Sequence, residues 1–169
     1  IKENYNKLNA YNYKYLSDGL LISGFVWLPK NIKEKLPVVI WNRGGTSEFS
    51  GIGKNRGSIF TDFSCELAKN NTIVMASEYR GGIDSEGKDH RGGDDINDVV
   101  KIKEIANQLP MCKQCKSIVA GFSRGGMMSY LLAKKEPWVK AVISLAGTTD
   151  LIDSVKERPE MYEVFKEAF

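Results

Sequence analysis

Strand-like and helix-like segments alternate along these 169 residues, and that alternation constrains the fold more than any other feature. Tyr11 to Leu16 alternates with period two, Ser17-Asp18-Gly19 is a turn, and Leu20 to Leu28 is a second strand closed by Pro29. The chain therefore opens on an antiparallel hairpin. After a polar loop from Lys30 to Lys35, the run from Leu36 to Trp41 is continuously apolar, as a strand buried on both faces would be. A Gly- and Ser-rich loop to about Ser58 leads into helical spacing from Ile59 to Asn70, with Phe60, Phe63, Leu67 and Ala68 on one face.

Thr72 to Glu78 is a further short apolar strand. The stretch from Tyr79 to Gly93 is rich in glycine and charge, which predicts a loop too polar to be buried. A helix is expected over Asp94 to Leu109, with acids crowding its first turn and Pro110 after its end. Ser117 to Phe122 is strand, Arg124 to Lys135 helix, and Ala141 to Ala146 strand; Leu151 to Phe169 is mostly helical with a break at Pro159. Strands joined by helices must run parallel with right-handed crossovers. The expectation is an α/β fold, mostly parallel, with an N-terminal antiparallel hairpin and helices on both faces.

Composition narrows the function classes. Hydrophobic residues make up 42% and charged residues 27% of the chain, which is ordinary for a folded domain. The net charge of +3 is spread among acids rather than gathered in a stripe, and no nucleic-acid-binding motif accompanies it, so no nucleic-acid partner is expected. The longest apolar runs, such as Val142 to Ala146, are far too short to span a bilayer. The start, Ile1-Lys2-Glu3-Asn4, has neither an initiator Met nor an apolar signal core, as in a processed or internal piece. The compartment is therefore not legible.

Cys112 and Cys115 form a C-x-x-C pair, with Cys65 and the single His90 as the other potential zinc ligands. The pair precedes a strand instead of opening a helix, so free thiols in a loop are the expectation, with a disulfide or partial metal site as alternatives. No metal and no cofactor are predicted. Gly51 and Gly53 are followed by Gly57, which is not the dinucleotide-binding spacing.

The chemistry concentrates at Gly121-Phe122-Ser123-Arg124-Gly125, a G-x-S-x-G sequence between a β-branched strand and a helix. That context demands a sharp strand-to-helix turn that thrusts the serine out of the sheet edge, with glycines leaving room for the helix. Ser123 is the expected nucleophile. The N–H of Arg124, at the start of the following helix, is one expected oxyanion donor. The second is expected from the loop after the third strand, Asn42-Arg43-Gly44-Gly45, with Gly45 as the donor.

These motifs resemble the catalytic domain of the prolyl oligopeptidase branch of the α/β-hydrolases, with dienelactone-hydrolase-like enzymes as relatives. Asp18 to Pro29 resembles that branch's opening hairpin, and Leu36 to Gly45 its third strand and glycine turn. Tyr79-Arg80-Gly81-Gly82, Gly92 to Val99, the elbow from Gly121 to Gly126, and Ala146 to Leu151 follow in the family's order. The resemblance covers nearly the whole chain and implies a serine hydrolase acting on peptide or ester bonds. Arg43 stands where the family usually has histidine, which puts the polarity near the oxyanion hole in question. Arg124 stands where an aromatic residue is common, leaving a long cation to contact an acidic substrate group.

A serine hydroxyl needs a base, and in this fold the chain order is serine, acid, histidine. No histidine follows Ser123. His90 precedes it and is read as a solvated loop residue, although triads are defined by geometry rather than by order. Asp150 is an alternative acid at the exit of the strand after the elbow, though its match in the family is to a structural residue. Arg80, Asp94, Asp95 and Asp98 are expected to tie the loop to the helix start.

Domains of this type commonly need ~200–250 residues. The resemblance therefore implies that residues 1–169 are a partial α/β-hydrolase domain whose last two strands, bearing acid and histidine, lie beyond Phe169. The competing expectation is an inactive hydrolase fold used for binding.

Overall fold

The computed structural model describes residues 6–46, 51–52, 59–113 and 117–166. Strands β1 (Leu8–Ser17) and β2 (Leu20–Pro29) pair antiparallel from Leu8 opposite Pro29 to Ser17 opposite Leu20. Asp18 and Gly19 between them have φ of 50° and 80°. Positive φ at both residues is what lets a two-residue turn follow the twist of its strands.

The remaining strands are β3 (Val38–Asn42), β4 (Ile73–Ser77), β5 (Ser117–Phe122) and β6 (Val139–Leu145). They join the hairpin in one six-stranded sheet of order β1-β2-β4-β3-β5-β6. β2 meets β4 antiparallel, whereas β4, β3, β5 and β6 are mutually parallel. Helices α1 (Ile59–Lys69), α2 (Asp95–Gln108), α3 (Arg124–Lys135), α4 (Leu151–Glu157) and α5 (Met161–Lys166) follow the strands as the alternation predicts.

Every residue of β3 and β4 is buried, because the sheet is covered on both faces. Successive side chains of a strand point to opposite faces, and the core divides accordingly. Val38, Ile40, Ile73, Met75 and Val119 pack with Val99, Ile102 and Ala106 of α2 and Met128 and Leu132 of α3. Val39, Trp41, Val74, Ala76 and Ala120 pack on the other face with Cys65 and Ala68 of α1. Burying one such aliphatic side chain contributes about 1.5–3 kcal/mol. The side chain of Phe60, expected on that face of α1, lies outside the described residues.

Two local expectations need correction. The stretch after β4 is exposed only in its middle: Asp84, Glu86, Gly87 and Lys88 are exposed, but Tyr79, Arg80, Gly82, Ile83 and Gly92 are buried. Its polarity does not prevent burial because the charges find partners there. Arg80 Nη2 lies 2.8 Å from Asp98 Oδ1 and 2.6 Å from Asp18 Oδ2, and its own amide donates to Asp98 Oδ2 at 2.8 Å. The strand expected from Ala141 starts instead at Val139. Most of the Gly- and Ser-rich loop before α1 falls outside the described residues, as does Cys115.

At the far side of the sheet β6 pairs only with β5 among the described residues. Ile143 and Leu145 there are exposed, as are Ile152 on α4 and Tyr162 on α5. No described helix is long and apolar enough to cross a membrane.

Candidate active site

β5 lies between β3 and β6, so its C-terminal end opens at the middle of the parallel part of the sheet. The chain leaves it through Ser123, whose φ of 52° and ψ of −122° put a side-chain-bearing residue in a sparsely populated conformation. Such a conformation costs roughly 1–3 kcal/mol and persists only where the surroundings enforce it. Here the Ser123 amide donates to the Leu145 carbonyl at 2.8 Å, and the Ser123 carbonyl accepts from the Gly126 amide at 2.9 Å. Ser123 is thus pinned between β6 and the first turn of α3.

The glycines at the elbow answer to contact distances. A Cβ on Gly121 would stand 2.2 Å from the Gly125 carbonyl oxygen, and one on Gly125 would stand 1.9 Å from that of Asn42. Backbone cannot yield to either, so α3 seats directly on the ends of β3 and β5. The loop after β3 comes equally close: a Cβ on Gly44 would lie 3.4 Å from the Cβ of Ser123. Ser123, the Arg124 amide and the glycine turn expected to supply oxyanion donors are therefore neighbours.

Both unexpected arginines prove to be internal. Arg43 is 1% exposed; its Nε lies 2.9 Å from Glu78 Oε2, and its Nη2 donates to the Glu78 carbonyl at 2.7 Å. Arg124 is not a cation presented to substrate. Its Nη1 donates to Asp89 Oδ2 at 2.7 Å and to the Gly45 carbonyl at 2.9 Å, while its Nη2 pairs with Asp95 Oδ2. Both guanidinium groups lie over the ring of the fully buried Tyr79, Arg43 Cζ at 5.0 Å and Arg124 Cζ at 4.8 Å from its centroid. Cations over an aromatic face are attracted by its quadrupole, more so when desolvated.

Burial works against the Arg124 cation, but Asp95, Tyr79 and Asp89 together outweigh it and raise its pKa above the ordinary arginine value. Burial likewise raises the Asp95 carboxyl, against the opposing pull of Arg124 and of the Gly92 amide. Sequence reasoning missed Glu78, Tyr79 and Asp89 as parts of this cluster. The available signal was the pair of cations at strand ends, which in a buried sheet edge require acids to meet them.

The other candidates have partners of their own. His90, its side chain 39% exposed, has Nδ1 3.4 Å from Asp94 Oδ2. Asp150 caps α4, its Oδ1 accepting from the Ile152 and Asp153 amides at 2.9 and 3.0 Å, the usual role of an aspartate at a helix N-terminus. Arg80, Asp95 and Asp98 tie the loop to α2 as expected. Cys112 is buried. Among the described residues no three metal-binding side chains gather.

A comparison of the sequence with known families matches the prolyl oligopeptidase family over residues 61–167. The chain belongs to the prolyl oligopeptidase family. Among its relatives, the uncharacterized peptidase YtmA of Bacillus subtilis (strain 168) is 27% identical over 160 residues, taking in 94% of this chain and 59% of YtmA. The chain therefore spans only about three fifths of that relative's length. An acylaminoacyl peptidase solved with Z-Gly-Gly-Phe-chloromethyl ketone superposes with a TM-score of 0.72 at 18% identity, covering 96% of this chain and 29% of that one. Esterase Est22 superposes with a TM-score of 0.67 at 18% identity, covering 92% of this chain and 52% of that one. The fold is that of the α/β-hydrolases, and the family is one of peptidase-like hydrolases.

Proposed function

We propose that Ser123 is the nucleophile of a serine hydrolase that cleaves peptide or ester bonds through an acyl-enzyme. The observation that carries this is the elbow itself: a serine held at positive φ between a strand end and a helix N-terminus, beside a glycine turn. Such a strained conformation on a buried scaffold is hard to explain as a plain connection.

In the proposed reaction the Ser123 Oγ attacks the substrate carbonyl carbon and gives up its proton to a general base. The carbonyl oxygen becomes an oxyanion held by the backbone N–H groups of Gly45 and Arg124. Collapse of the tetrahedral intermediate breaks the bond to the amine or alcohol, which leaves with the proton, and water then hydrolyses the acyl-serine. Acid and histidine are proposed to come from chain outside these 169 residues, since His90 is the sole histidine in the sequence and is engaged with Asp94. Peptide and ester substrates both stay in the proposal because fold neighbours include a peptidase and an esterase.

An inactive hydrolase fold used for binding is the second reading. It is favoured by one observation: among the described residues no base is hydrogen-bonded to the Ser123 hydroxyl. A fluorophosphonate probe on the full-length protein separates the two. Labelling that disappears in Ser123→Ala supports the nucleophile, and a folded full-length protein that does not label would sink it. The 169-residue segment alone is expected to label weakly or not at all, because an unassisted serine is a poor nucleophile.

A further inference from the structure

Three consecutive carbonyls of the loop after β3 are each held by a side chain. That of Arg43 accepts from the Tyr79 hydroxyl at 3.1 Å, that of Gly44 from Arg43 Nη1 at 3.0 Å, and that of Gly45 from Arg124 Nη1 at 2.9 Å. Across a trans peptide plane the carbonyl of one residue and the N–H of the next point in opposite directions. Holding these carbonyls therefore sets the directions of the Gly44, Gly45 and Thr46 amides.

The restraint matters because glycine crosses between positive and negative φ almost freely, and Gly45 sits at φ 72°. Two adjacent glycines without such ties would sample flipped peptides, with a carbonyl turned to where a donor is needed. The ties are themselves anchored. Tyr79 has both guanidinium groups over its ring, Arg43 is paired with Glu78, and Arg124 is paired with Asp89 and Asp95.

We infer that the Arg124 side chain, acting with Tyr79 and Arg43, is a positioning device that keeps the amides of the glycine turn aimed at the oxyanion formed on Ser123. Arg124 then serves both halves of the oxyanion hole: its own N–H is one donor, and its guanidinium fixes the peptide that follows Gly45, while Arg43 Nη1 on the Gly44 carbonyl fixes the peptide that carries the Gly45 N–H. The inference rests on the proposal that Ser123 is the nucleophile and Gly45 a donor.

The test uses the full-length protein, p-nitrophenyl butyrate as substrate, and phenylboronic acid as a probe that forms a tetrahedral adduct with the serine. Arg124→Lys keeps a cation for the buried acids, but a single ammonium cannot reproduce the fork that reaches Asp89, Asp95 and the Gly45 carbonyl together. Tyr79→Phe removes only the hydroxyl that holds the Arg43 carbonyl. Both variants are expected to lower kcat by about 10- to 100-fold with KM within about twofold, and to weaken the boronate in the same proportion, as loss of oxyanion stabilisation does.

Folded variants with wild-type kcat, or variants that change KM alone, would overturn the inference. If Arg124→Lys does not fold, Tyr79→Phe decides, since it deletes one oxygen atom. Failure of the underlying reading has a different signature. In that case Ser123→Ala hydrolyses the ester as fast as wild type, whereas failure of the positioning role leaves Ser123 essential and the two variants unaffected.

Discussion

Arg43 Nε stands 2.9 Å from Glu78 Oε2, with the two side chains 1% and 0% exposed. The pair joins the residue that follows β3 to the one that follows β4, directly beneath the glycine turn next to Ser123. Removing one member of a buried ion pair leaves an uncompensated charge in a poorly solvating interior, at a cost of about 3–5 kcal/mol. Glu78→Gln is expected to destabilise the protein by an amount in that range, read from the midpoint of urea unfolding. A loss below about 1 kcal/mol, the size seen for exposed pairs, would show that the pair is not sealed from water.

Gly125→Ala and Gly19→Ala should differ sharply. At Gly125 the new methyl carbon meets the Asn42 carbonyl oxygen at 1.9 Å and carbon at 2.5 Å, so β3 and α3 must separate. At Gly19 nothing lies within 4 Å, and only the positive φ of 80° opposes a side chain. The hairpin variant should lose roughly 1–2 kcal/mol. The elbow variant should lose more than about 4 kcal/mol or fail to fold, as overpacking against rigid backbone would require. Equal melting temperatures for the two would contradict this packing.

Ser123→Gly is expected to trade chemistry for stability. The strain of a φ of 52° at a side-chain-bearing residue is relieved in glycine, which offsets the greater freedom glycine has in the unfolded chain. Thermal melting should show no loss, and up to about 1 kcal/mol of gain. Fluorophosphonate labelling should vanish in the same variant. A clear drop in melting temperature would mean that the elbow is not strained.

The link from the hairpin turn to α2 sets an acid dependence. Hydrogen bonds from Arg80 first, and from Asn97 next, hold the Asp18 carboxyl below its ordinary value of 3.8. A carboxylate with a depressed folded-state pKa contributes stability that is complete above its unfolded value and is lost as pH falls through the folded one. Asp18 is 47% exposed, so screening by water keeps the contribution to about 1 kcal/mol or less. Asp18→Asn should therefore lose up to about 1 kcal/mol at neutral pH and converge on the unsubstituted protein below about pH 4, which flattens the acid limb, and added salt should shrink the difference. An unchanged acid limb would show that other carboxylates set it.

The strand-to-helix elbow at Ser123 and the strand–helix alternation were legible because both are short-range. Period-two and period-3.6 patterns, a two-residue Asp18-Gly19 turn and a serine between glycines are determined by neighbours a few positions apart. The ends of α3 came out at Arg124 and Lys135 as expected. The burial of the stretch after β4 was not legible, because composition cannot distinguish a solvated charge from one with a buried partner.

By itself, then, the amino-acid sequence determined the elements, the hairpin, the elbow and the family. Tertiary structure decided the sheet order, with β3 inserted between β4 and β5, and through it the company each charge keeps. Arg43, Glu78, Tyr79, Asp89, Asp95 and Arg124 come from the ends of three neighbouring strands and the segments that follow them. They meet only because parallel strands set side by side bring their C-terminal ends to one edge. Hydrogen bonds and ion pairs depend on distance in space, so a cation that looked ready for substrate is instead held in the interior, beside Ser123, with its fork on the Gly45 carbonyl.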